Sequence, residues 1–158
     1  MLPINITELL EQNRIESNRI EYKQGWNPTA IYHTICAFAN DFENLGGGYI
    51  VVGVEEENGM AKRPVLGVPE GQLDKIQQQM VGFNNKFVPY YQPQTTVEEV
   101  DGKKVLVIRV ARGQNRPYTI PIDVTAKQSS PAFYVRSGTS SIVAKGEVLD
   151  EWGDFYRF

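Results

Sequence analysis

The residues best placed for chemistry in this sequence are a late run of bases. Lys103, Lys104, Arg109, Arg112, Arg116, Lys127, Arg136 and Lys145 stand against Asp123 alone in residues 103–145. Residues 1–102 carry 14 acids against 7 bases, and the last stretch is acidic again, with Glu147, Asp150, Glu151 and Asp154 against Arg157. A basic segment in an acidic chain can build a local anion-binding face. The alternative is that these bases scatter over several surfaces. The net charge of −3 by itself argues against nucleic acid, so the distribution matters more than the total.

Earlier in the chain, Gly46-Gly47-Gly48 leaves room for another backbone or a ligand to approach closely. No Gly-Lys-Ser/Thr follows, so a Walker-type phosphate loop is excluded and a turn required by packing is the preferred reading. The carboxylates Glu16 and Glu21 are five residues apart. In a continuous strand they face opposite ways, and they converge only if the chain bends at Ser17-Asn18. Glu55, Glu56 and Glu57 close an apolar run. His33, the single histidine, has no second histidine or partner cysteines and reads as a surface or half-buried helix residue. Cys36, the single cysteine, reads as a small buried hydrophobe in a reducing cytoplasm.

These residues need elements to hold them. The 158 residues, 41% hydrophobic and 22% charged, suit one globular domain. No apolar run approaches the roughly 18 residues that span a bilayer, and no signal-peptide pattern opens the chain. Periodicity predicts a helix over 4–12 capped by Asn5 or Thr7, then a half-buried strand from Arg19 with Ile20 and Tyr22 on one face and Glu21 and Lys23 on the other. Asn27-Pro28 starts a helix to about Phe42, with Ile31, Ile35 and Phe38 along its buried stripe. Tyr49 to Val54 has the unbroken apolar character of a central strand covered on both faces.

A second helix is predicted over 71–87. Thr95 to Val100, Asp101-Gly102 and Lys103 to Val110 read as a hairpin with a primed turn. Further short strands cover 118–122 and 132–135. A Gly/Ser-rich turn spans 136–141, and a closing helix starts at about Ala144. This order predicts a single α+β domain with a mixed sheet and flanking helices.

Glu16-Ser17-Asn18-Arg19-Ile20-Glu21-Tyr22-Lys23 resembles the E-S-x-x-x-E-F/Y-K motif of the Schlafen-group Alba-like domain. Ala37-Phe38-Ala39-Asn40 with Gly47-Gly48-Tyr49-Ile50-Val51-Val52-Gly53-Val54, and Tyr134-Val135-Arg136-Ser137-Gly138-Thr139, resemble two further elements of that group. Together they span residues 16 to about 145. Asp41-Phe42-Glu43-Asn44-Leu45 makes the segment before the glycines longer than the compact family form, similar to bacterial members labelled transcriptional regulators or ATP-binding proteins. Many of those continue into further domains, so the chain is expected to be either a single-domain member or a fragment of a longer regulator.

The resemblance implies two functions. The first is a nucleic-acid-binding module, DNA before structured RNA, with Lys23, Arg112, Arg116, Arg136 and Lys145 on the phosphate backbone and no cofactor. The second is a metal-dependent endoribonuclease, with Glu16, Glu21 and Glu55 or Glu56 holding Mg²⁺ or Mn²⁺. The first is the expectation, in a bacterial, cytoplasmic, transcriptional-regulator-like protein able to form a homodimer. A protein-interaction or oligomerisation module is the third class.

Overall fold

The structure is a computed structural model that describes residues 5–12 and 19–144. Glu16, Lys145, the bend at Ser17-Asn18 and the closing helix lie outside these residues.

Helix α1 (Ile6–Gln12) starts where Asn5 Oδ1 accepts the Thr7 amide at 2.8 Å. Strand β1 (Ile20–Lys23) leads through a turn into α2 (Pro28–Asn40), which has Pro28 in its first turn and Asn27 capping the Ala30 amide. Strand β2 (Gly47–Val52) then runs parallel to β1, so α2 crosses between two neighbouring strands. A small hairpin of β3 (Glu56–Glu57) and β4 (Met60–Ala61) precedes α3 (Glu70–Asn84). Strands β5 (Gln94–Val100) and β6 (Lys103–Ala111) form the expected hairpin. Asp101 and Gly102 have φ of 54° and 71°, the left-handed pair that a tight primed turn needs.

The main sheet has the order β1-β2-β6-β5, with β2 in its interior as the apolar run required. Side chains alternate. Ile50, Val52, Leu106, Ile108 and Val110 meet α2 and α3 on one face, while Val51, Val105 and Val107 join Ile20, Tyr22 and α1 on the other. Both faces are therefore core, each well-buried Val or Ile contributing about 1.5–3 kcal/mol.

A second sheet joins β7 (Thr119–Pro121), β8 (Pro131–Ser137) and β9 (Ser140–Val143) in that order. It covers the side of α2 turned away from the main sheet, which buries every residue from Ile31 to Asn40 except His33. The sequence pattern predicts one buried stripe on this helix. The structure shows a helix enclosed between two layers, because Thr34, Cys36, Ala37 and Ala39 are small enough to admit the second sheet. The turn expected over 136–141 takes in Ser140 and Ser141, which are strand residues of β9 through pairing with β8. No helix among the described residues is long and apolar enough to cross a membrane.

Candidate nucleic-acid interface

At one end of the main sheet, α2 stops and β2 begins. Asp41 ends the helix in the left-handed region at φ 45°, its amide donating to the Ala37 carbonyl at 3.1 Å. Its carboxylate accepts the Leu45 and Gly46 amides at 2.8 and 2.9 Å. Asp41 thus folds the five-residue extension back onto the helix end. The glycines that follow admit backbone. A Cβ on Gly47 would lie 1.9 Å from the Val110 carbonyl oxygen, and one on Gly48 would meet the Arg19 carbonyl at 2.6 Å and the Phe38 ring at 2.7 Å. Of the two expected uses, close strand approach is the one the geometry requires.

Asn40, the last residue of α2, is fully buried and bonds through both ends of its amide. Nδ2 donates to the carbonyls of Tyr134 at 2.8 Å and Tyr118 at 3.1 Å, and Oδ1 accepts the Tyr118 amide at 2.6 Å. One side chain therefore fastens the helix to the second sheet and to the segment entering it. Sequence reasoning had placed Asn40 in a motif without giving it this role. The signal was present: an amide closing an otherwise apolar helical run must find buried partners.

The charged face expected on β1 is covered. Glu21 is only 8% exposed, and Arg136 from β8 reaches it with Nη1 2.8 Å from Oε1. Lys23 Nζ lies 3.7 Å from the other carboxylate oxygen. The Arg136 guanidinium also donates to Ser141 Oγ at 3.0 Å and stands 5.1 Å from the centre of the Phe38 ring. Arg136, expected on the phosphate backbone, is thus an internal cation whose side chain is 6% exposed. Strand pairing gave no hint of this, because the contact joins two different sheets.

The carboxylates of the metal hypothesis have other partners. Glu55 pairs with Lys62 at 3.6 Å, Glu56 accepts the Gly59 amide within its own hairpin, and Glu21 is held as described. Among the described residues no three His, Cys, Asp or Glu side chains gather as a metal site would require. Glu16, the first carboxylate of that hypothesis, lies outside the described residues.

The cations divide between the two ends of the main sheet. Around the glycine turn stand Arg19, which donates to the Gly47 carbonyl at 3.4 Å, Arg109, and Arg112, which bonds Asn44 and lies 3.9 Å from Asp41. The loop leaving β6 here carries Arg116, and its Gly113 amide bonds the Ala39 carbonyl. Arg19 is exposed, and Arg109, Arg112 and Arg116 are half-buried. At the opposite end Lys62, Arg63 and Lys104 meet Glu55, Asp101 and Glu70. There Arg63 pairs with Asp101 at 2.7 Å and Lys104 with Glu70 at 2.9 Å. The Arg63 bonds and the Val65 amide hold the Asp101 carboxyl down at about 2. Arg19 and Arg109 were not among the expected phosphate contacts; Arg19 reaches this end because β1 pairs with β2.

Other candidates are structural. A cleft lined by Phe38, Asp41, Leu45, Gly47 and Arg136 has a volume of about 10 Å³, room for one water and not for a nucleotide. His33 stacks on Tyr134 at 4.0 Å, and burial lowers its pKa, so it is neutral near pH 7. Burial pushes the Cys36 thiol up to about 12, which makes it a poor nucleophile.

The family model described as Schlafen, AlbA_2 matches residues 16–145. Two solved structures are similar. One is the N-terminal domain of a Nitrosomonas europaea protein described as related to the ATP-dependent DNA helicase RecG. It is 26% identical with a TM-score of 0.57, over 91% of this chain and 92% of that domain. The other is the DIP2311 protein of Corynebacterium diphtheriae, 21% identical with a TM-score of 0.56 over 90% of this chain. This chain spans 28% of that protein's length. Among curated proteins nothing matches.

Proposed function

The chain belongs to the Schlafen AlbA_2 family, and from that premise we propose that it is a nucleic-acid-binding domain that grips the phosphate backbone, of DNA first and structured RNA second. The observation that carries this reading is the pair Arg19 and Arg112 at the glycine turn, with Arg109 and Arg116 on the strand and loop that end beside it, in an otherwise acidic protein. Half-exposed guanidinium groups present planar forks of donors that match phosphate oxygens. The likeness to a domain of a RecG-related protein supports the same direction. A role in a bacterial, cytoplasmic transcriptional regulator, and pairing of two copies as a homodimer, belong to this proposal.

The test is retention of duplex DNA and of tRNA by the purified protein across a salt series. Binding should fall steeply with salt, and changing Arg19, Arg112 and Arg116 together to Gln should weaken it about equally for unrelated sequences. Arg136 and Lys23 stay untouched because Glu21 depends on them. Unchanged affinity in the triple variant overturns the proposal. The same samples with Mn²⁺ and with chelator test the nuclease alternative, which requires cleavage lost in Glu21→Gln. Light scattering gives the oligomeric state.

A further inference from the structure

We propose that Tyr49 and Arg109 form a platform on which one unpaired base of a single-stranded nucleic acid stacks, beside the arginines that hold its phosphates. This rests on the phosphate-binding reading above and adds the form of nucleic acid preferred.

The register sets Ile20, Tyr49, Arg109 and Gln94 side by side across all four strands of the main sheet. Alternation puts this row on the face that α1 covers, because Val51, Val105 and Val107 of the same face are buried with Ile6, Leu9 and Leu10. Cover thins at the row itself. Tyr49 and Arg109 are half-buried and Gln94 is exposed, whereas Val51 and Val107, the next pair along the same face, are fully buried. Tyr49 and Arg109 are direct cross-strand partners, so their Cβ atoms are about 4.5–5.5 Å apart. Arg109 Nη1 donates to Gln94 Oε1 at 3.2 Å, which draws the guanidinium along the row.

An aromatic ring and a guanidinium side by side on a sheet are a sequence-tolerant surface for a base, since every base has a π face. Arg19 and Arg112 stand at the same end of the sheet, Arg19 bonded to the Gly47 carbonyl and Arg112 beside Asp41. A strand leaving the platform over that end would carry its phosphates towards them. A duplex keeps its bases stacked inside and cannot use the ring. The platform therefore favours single strands.

The experiment uses a single strand carrying 2-aminopurine and its matched duplex, at low salt, with wild type, Tyr49→Leu, Tyr49→Phe and Arg109→Gln. Leu keeps the apolar contact with the core beneath, and a thermal melt of each variant checks folding. Wild type should quench the 2-aminopurine fluorescence on binding. Tyr49→Leu should lose the quench and about tenfold in single-strand affinity, with duplex affinity unchanged, while Tyr49→Phe stays within about twofold of wild type. Single-strand binding by wild type without quenching overturns the platform, as does wild-type behaviour of a folded Tyr49→Leu. In both cases duplex retention shows that the phosphate reading still stands. Failure of wild type to retain either form removes both.

Discussion

The two ends of the main sheet are built from the same strands and differ in what their charges do. At the hairpin end nearly every cation has a carboxylate: Arg63 with Asp101, Lys104 with Glu70, Lys62 with Glu55. At the glycine-turn end Arg112 lies 3.9 Å from Asp41, which spends its carboxylate on the Leu45 and Gly46 amides. A base count cannot tell these ends apart, since Lys104 and Arg112 belong to the same basic segment. Which charges can meet a ligand depends on where the fold places them and how exposed it leaves them.

Experiments can break this contrast, from the largest effect down. Glu21→Gln should cost about 3 kcal/mol in chemical denaturation, the low end for a broken buried pair because the amide oxygen still accepts from Arg136. A loss below about 0.5 kcal/mol would mean that Arg136 is free to serve the surface. Next comes the double change Arg19→Gln and Arg112→Gln, expected to weaken duplex binding about tenfold and to lower the salt slope by about 2. The matched change at the other end, Lys62→Gln with Lys104→Gln, should stay within about twofold; equal losses would erase the distinction between the ends. Glu56→Lys with Glu57→Lys should raise affinity only about two- to threefold at low salt and not at all at high salt, since those carboxylates act through a screened field.

The smallest effect is one of pH. Asp101 has a folded pKa of about 2, below its usual value near 3.9, so its contribution is complete above about pH 4 and disappears as pH falls towards 2. Asp101→Asn should flatten the acid limb of a stability profile in that window. An unchanged limb would show that the Arg63 contact is not formed in solution.

Much of the scaffold was legible because local rules and burial agree. Asn27-Pro28 opened α2, Asp101-Gly102 set the hairpin, and the run from Tyr49 marked an interior strand. The site was less legible because its contacts cross between layers. Nothing near Glu21 in sequence points to Arg136, which lies on a strand of the other sheet. The same is true of Arg19, which reaches the glycine turn only because β1 pairs with β2. Glu43 and Asp41 sit in an extension that turns through two left-handed residues, Asp41 and Asn44.

Asn40 carries a consequence for the order of folding. Its carbonyl partners lie 78 and 94 residues further along the chain, so the end of α2 is satisfied only after two long loops have closed. Each closure carries an entropy cost that grows with loop length, and contacts this distant slow folding. The first turns of α2 can form while the second sheet is still absent, but its last turn cannot be buried without exposing an amide to apolar surroundings. In pulse-labelling hydrogen exchange, the amides of Tyr118 and of β8 should therefore gain protection together with the C-terminal turn of α2, and later than the β5–β6 hairpin, whose partners are close in sequence.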